Sequence, residues 1–167
     1  SKERNAEYRE GLFVGYRYFE TAKVPVLFPF GFGLSYTTFE YSDLSVSEKQ
    51  ASFTLKNTGG MDGAEVAQLY VSKPDGGVFR PAKELKGFAK VFLKAGESKK
   101  VTISLDDKAF RYFNVDTNKF EVEGGSWTVM IGASCADIKL SVTVEVQGTG
   151  AKSPYDKQKF AKYFTGD

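Results

Sequence analysis

Residues 50–72 read QASFTLKNTGGMDGAEVAQLYVS, a strand, a turn and a second strand in one stretch. In the first half Ala51, Phe53 and Leu55 share one face while Ser52, Thr54 and Lys56 share the other, the period-2 alternation of a half-buried strand. In the second half Val66, Gln68 and Tyr70 lie opposite Ala67, Leu69 and Val71. That run is apolar on both sides apart from Gln68, which predicts a central strand covered on both faces. Between them, Asn57-Thr58-Gly59-Gly60 and Asp62-Gly63 are turn residues, suited to the positive φ of tight connections.

The same texture runs outward from this stretch. Val101, Ile103 and Leu105 alternate in Lys100–Leu105, Val129 and Ile131 in Trp127–Ala133, and Leu140, Val142, Val144 and Val146 in Ile138–Val146. Pro74-Asp75-Gly76-Gly77, Ala95-Gly96 and Gly124-Gly125 punctuate these runs, and Lys73–Glu84 reads as a surface loop. Seven or eight short strands over residues 40–148 predict an all-β, antiparallel two-sheet sandwich. Residues 1–39 differ: they hold ten aromatic side chains among glycines and prolines with no sustained period, and read as an extended N-terminal arm. Residues 149–167 are polar and basic and read as a linker or tail.

Composition narrows the chemistry. Among 167 residues there is no histidine and one cysteine, so Ser-His-Asp and Cys-His catalysis and an internal disulfide are excluded, and no metal or cofactor is expected. A net charge of +2 points to neither nucleic acid nor an anionic membrane, and no run of 18 apolar residues occurs. Residues 1–12 are polar, unlike a secretory leader; with no disulfide this leans towards the cytoplasm, with secretion of a parent protein left open. A carboxylate enzyme, a binding module or a structural domain remains.

Two motifs in the arm are familiar. Glu10-Gly11, Val14-Gly15-Tyr16-Arg17-Tyr18-Phe19 and then Phe28-Pro29-Phe30-Gly31-Phe32-Gly33-Leu34-Ser35-Tyr36-Thr37, with Phe39, resemble the E-G-x-x-V-G-Y-R-Y-[YF] and F-P-F-G-[YF]-G-L-S-Y-T-x-F stretches of glycoside hydrolase family 3, the β-glucosidases and β-xylosidases. The resemblance continues through NTGGMDGAEVAQLYV (Asn57–Val71), RPAKELKGFAKVFLKAGESKKV (Arg80–Val101) and GGSWTVMIGASCADIKL (Gly124–Leu140), about four-fifths of the chain. Trp127 stands where the family usually has Tyr or Phe, and Cys135 where it has Ser.

The resemblance implies a fibronectin type III-like (immunoglobulin-like) domain at residues 40–148, preceded in 1–39 by the end of an α/β sandwich domain. It also implies a parent that hydrolyses terminal β-D-glucosyl or xylosyl units by a retaining double displacement. The family's nucleophile motif ends Ser-Asp-Trp; here the approximation Tyr41-Ser42-Asp43-Leu44 lacks the tryptophan, and the acid/base stretch S-x-E-G-x-D-R is missing. The expected role is therefore a non-catalytic accessory domain whose partners are the catalytic barrel and α/β sandwich domains of a β-glycosidase, on the same or a separate chain. The last residues, SPYDKQKFAKYFTGD, resemble the linker of bacterial members in which the barrel comes last.

Individual residues sharpen that expectation. Tyr16, Arg17, Tyr18, Phe28, Phe30, Phe32, Tyr36 and Phe39 are the candidate docking residues, filling a seam against the neighbouring domains. Arg17 is expected to be partly buried against tyrosine and paired with a carboxylate, Glu10 for instance, or with backbone carbonyls. Glu65 is expected on the solvent face or bound to a loop backbone. Asp106 and Asp107, adjacent in an extended segment, would diverge, and Ala109–Val115 would carry Phe110 and Phe113 inward.

Cys135 reads as a buried filler, and Lys83, Lys86, Lys90, Lys94, Lys99 and Lys100 as solvated edges that discourage strand pairing. Two rivals stand beside the accessory role. One is a carbohydrate-binding module making weak sugar contacts through Phe79, Tyr112 and Trp127; the other is one chain of a split β-glucosidase.

Overall fold

A computed structural model describes residues 11–47 and 49–155. Among the described residues nine strands follow a short helix: α1 (Tyr16–Thr21), β1 (Phe39–Val46), β2 (Gln50–Asn57), β3 (Gly63–Ser72), β4 (Glu84–Leu93), β5 (Ser98–Ser104), β6 (Arg111–Asn114), β7 (Lys119–Val122), β8 (Gly125–Gly132) and β9 (Ile138–Val146). A three-stranded sheet, β1-β2-β5, faces a four-stranded sheet, β4-β3-β8-β9, and β6-β7 forms a separate hairpin. Every pairing is antiparallel. The fold is the all-β sandwich expected.

The alternation read from sequence closes the space between the sheets. Ala51, Phe53, Leu55, Val101, Ile103 and Leu105 come from one side; Ala67, Leu69, Val71, Val91, Leu93, Trp127, Val129 and Ile131 come from the other. Burying each large side chain here contributes roughly 1.5–3 kcal/mol. Tyr41 stacks on Phe53 at 5.8 Å, and Phe110 meets Trp127 edge-on at 5.1 Å. β1 shifts register between Ser42 and Ser45, with Asp43 at φ 57.

The double-sided burial of β3 has an unexpected source. Tyr70, Met130 and Cys135 form a second buried cluster on the outer face of the four-stranded sheet, and the arm covers it with Tyr16. The arm is therefore no free leader. It contains α1, a single short helix that the sequence pattern did not announce, entered through Gly15 at φ 59.

Several local expectations are corrected. Asp106, itself extended, is the N-cap of a 3-10 turn, Asp107–Phe110, and accepts from the Lys108 N–H at 3.0 Å, so the two aspartates do not share one extended segment. Phe110 is buried as expected, but the alternation continues through Tyr112 and Asn114, which point inward, and leaves Phe113 exposed. Gly59 and Gly63 have ordinary φ; they are glycines because Thr37 of the arm occupies the space their side chains would need. The loop before β4 is surface chain pinned from below. The Arg80 guanidinium lies over Trp127 (4.9 Å) and Tyr112 (5.3 Å) and pairs with Glu84 and Glu123.

Candidate docking surface

The arm is fastened to the sandwich by polar bonds along its length. The Tyr16 hydroxyl accepts from the Leu85 N–H at 2.8 Å, and the Thr21 hydroxyl accepts from the Ala82 N–H at 2.9 Å. Lys83 pairs with Glu20 at 2.6 Å and also donates to the Cys135 carbonyl. The Phe30 carbonyl accepts from the Cys135 N–H at 3.0 Å, and Gln68 Nε2 donates to the Gly31 and Ala133 carbonyls.

At the end of the arm stands Asn57, fully buried. Its Oδ1 accepts from the Thr37 hydroxyl at 2.7 Å and from the Gly59 N–H; its Nδ2 donates to the Met61 and Leu93 carbonyls. A buried amide with all these bonds made is stable, and costly to disturb.

With the backbone and short polar groups spent on the sandwich, the large side chains face water. Leu27 and Leu34 are each 89% exposed, Tyr36 94% and Phe28 66%. Phe28 and Phe32 lean together at 5.4 Å, and Phe30 stacks on Tyr16 at 4.5 Å. A groove of about 450 Å³ runs between this stretch and the outer sheet face, bordered by Phe30, Phe32, Leu34, Gln68, Leu85 and Phe88.

The eight candidate residues therefore divide. Phe28, Phe30, Phe32 and Tyr36 belong to the outward apolar stretch. Tyr16 half-buries itself beneath them, and Phe39 opens β1 and packs on the sandwich core. Tyr18 sits edge-on to Phe19 at 5.6 Å. Arg17 turns towards the β6–β7 side, where its Nη1 donates to the Leu12 carbonyl at 3.5 Å; Glu10 lies outside the described residues.

Leu27, Leu34, Phe88 and Phe92 are exposed apolar residues that the sequence reading did not single out. For Phe88 and Phe92 the signal was there, since both occupy outward positions of β4, opposite Gln68 and Ala64. Glu65 binds a side chain, contrary to expectation: its Oε1 accepts from the Tyr41 hydroxyl at 2.8 Å. Burial pushes the Glu65 carboxyl above its ordinary value, against the opposing Tyr41 bond and Lys139 charge. Burial and the Glu65 charge push the Tyr41 phenol up as well.

Several acidic groups are occupied with structure. Asp43 accepts from Ser42, Asp107 pairs with Arg111, Glu84 with Arg80 and Lys86, and Glu123 accepts from the Gly77 N–H. Burial raises the Cys135 thiol's pKa, the opposite of what a nucleophile needs. Among the described residues no group of three or more Cys, Asp or Glu could hold a metal ion, and no helix is long and apolar enough to cross a membrane.

Two facing antiparallel sheets with an arm clasped to one outer face define a class, and residues 65–135 match the fibronectin type III-like domain. Over most of its length the chain is similar to a segment of larger glycosidases, among them GH3 β-glucosidases. It is 51% identical over 151 residues to thermostable β-glucosidase B of Acetivibrio thermocellus, covering 86% of this chain and 20% of that protein. It is 46% identical to an exo-α-(1→6)-L-arabinopyranosidase of Bifidobacterium breve, covering 92% of this chain and 21% of that protein. The crystal structure of the Bifidobacterium adolescentis GH3 β-glucosidase superposes with a TM-score of 0.80 at 44% identity, over 89% of this chain and 23% of that one. The chain thus spans about a fifth of the length of the curated relatives it matches.

Proposed function

We propose that this segment is a non-catalytic accessory domain of a family 3 β-glycosidase, and that its arm is the face by which it docks on and stabilises the catalytic domains. The observation that carries the reading is the arm itself. It is held to the sandwich by polar bonds, yet it presents Leu27, Phe28, Leu34 and Tyr36 to water. Contiguous apolar surface of this kind marks an interaction site. The parent activity is retaining hydrolysis of terminal β-D-glucosyl or xylosyl units. One relative is named for glucosides and another for arabinopyranosides, although both share this segment at similar identity, which supports placing sugar choice elsewhere in the polypeptide.

The carbohydrate-binding rival needs an exposed aromatic row on a sandwich face, and there two of its three candidates do not supply one: Trp127 and Tyr112 are buried, which leaves the exposed arm rings as its remaining support. The reading is tested on the isolated chain with an arylglucoside and by affinity electrophoresis in soluble β-glucans. No turnover and no retardation are expected. Turnover would overturn the non-catalytic role, and retardation would favour the binding module.

A further inference from the structure

The arm is one wall of the groove on the outer sheet face, and β4 contributes another wall with a chemistry of its own. Phe88, Lys90 and Phe92 occupy successive outward positions of β4, opposite Gln68, Val66 and Ala64 of β3, while Val91 and Leu93 are turned into the core. Both rings are exposed, and so is Val66. The arm supplies Phe30, Phe32 and Leu34 to the same groove, and Gln68 holds it there through the Gly31 carbonyl at 3.2 Å. A Cβ at Gly31 would run into the Gln68 amide, so the arm lies as close to the sheet as bare backbone allows.

Charge on this face is one-sided. Glu65 is the charged residue that borders the groove, and its Oε1 is engaged by the Tyr41 hydroxyl. Lys83 pairs with Glu20 and Lys86 with Glu84. Lys90 is exposed, and among the described residues no carboxylate pairs with it. A partner laid over Phe88 and Phe92 strips water from the ammonium between them, and burying a charge without a counter-charge is costly. An opposite charge at that point removes the cost and fixes the register of docking. We infer that the groove between the arm and β4 receives an apolar stretch of the catalytic domains that carries an Asp or Glu paired with Lys90. This rests on the docking role proposed above and adds the chemistry of the docked stretch.

Carbodiimide coupling in the whole parent polypeptide tests this, because it joins an ammonium to a carboxylate in contact with it. The expected product, read by mass after digestion, links Lys90 to an Asp or Glu outside this segment and is absent from the Lys90→Gln variant. Acylation of the native polypeptide, each lysine referred to its rate in the urea-unfolded chain, is expected to be about tenfold slower at Lys90 than at Lys100, which is exposed on the three-stranded sheet. Phe88→Ser, a change at an exposed ring, is expected to bring Lys90 to the Lys100 rate. Iodination of Tyr36 in the same sample reads the docking role separately. Tyr36 protected while Lys90 reacts as fast as Lys100 would overturn the groove assignment alone; both groups reactive would overturn the docking role with it. Protection of Lys90 that survives Phe88→Ser, or a Lys90 link within this segment or to a second molecule, would also overturn the assignment.

Discussion

In the sandwich, Phe53 and Trp127 are enclosed between two sheets while Lys56 and Lys100 face water; in the arm, Leu27, Phe28, Leu34 and Tyr36 face water while carbonyls, hydroxyls and amides are turned inward. The sandwich is held by apolar burial and presents polar groups. The arm is held by polar bonds and presents apolar groups. The outward rings and leucines therefore add little to holding this chain together, and under the proposed role their exposed apolar surface is what a partner would cover.

The contrast is broken or sharpened first by truncating one large side chain on each side of it. Trp127→Ala is expected to cost about 3–5 kcal/mol of unfolding free energy, and Tyr36→Ser less than about 0.5 kcal/mol, both read from urea titrations. Comparable losses would erase the distinction.

Asn57→Ala comes next in size. It strands the Met61 and Leu93 carbonyls and frees Thr37, at about 1–3 kcal/mol. Amide exchange should then accelerate at Thr58, whose N–H donates to the Thr38 carbonyl, more than in β8. Equal acceleration in both places would mean that the arm and the sandwich open as one unit.

The smallest effect concerns Glu65, which ties β3 to β1 through Tyr41. Its carboxyl titrates above the ordinary 4.5 in the folded chain, so the folded state holds that proton more tightly than the unfolded one. The resulting stabilisation is present below the ordinary value and is lost as pH rises through the raised one. Glu65→Gln keeps an acceptor for the tyrosine and removes the titration. Its stability relative to wild type should therefore increase as pH rises from about 4 towards about 7; a constant difference would remove burial of the charge as the cause.

How much of this was legible depended on whether one period governed a stretch. β2 and β9 are where alternation placed them, to the residue, because each keeps one unbroken phase against the core. Phe113 was misassigned because it stands three residues from Phe110, so the alternation that buries Phe110, Tyr112 and Asn114 turns it outward. Helix α1 is too short to develop a face of its own and is fixed by tertiary bonds from Tyr16 and Thr21. Asn57 looked like turn chemistry, and its role as a buried four-bond hub exists only once Thr37, Met61 and Leu93 converge on it. Arg80 passed as a loop residue because the rings that flank its guanidinium are far away in sequence.

Binding in trans probes the central claim most directly. The catalytic domains of the parent polypeptide, supplied on a separate chain, would be titrated by calorimetry with this segment and with its F28S/L34S/Y36S variant. The account predicts association by the wild-type segment and a loss of at least about a hundredfold in affinity for the variant, whose own unfolding curve is unchanged. Equal affinity for the two, or no association by either, would contradict it.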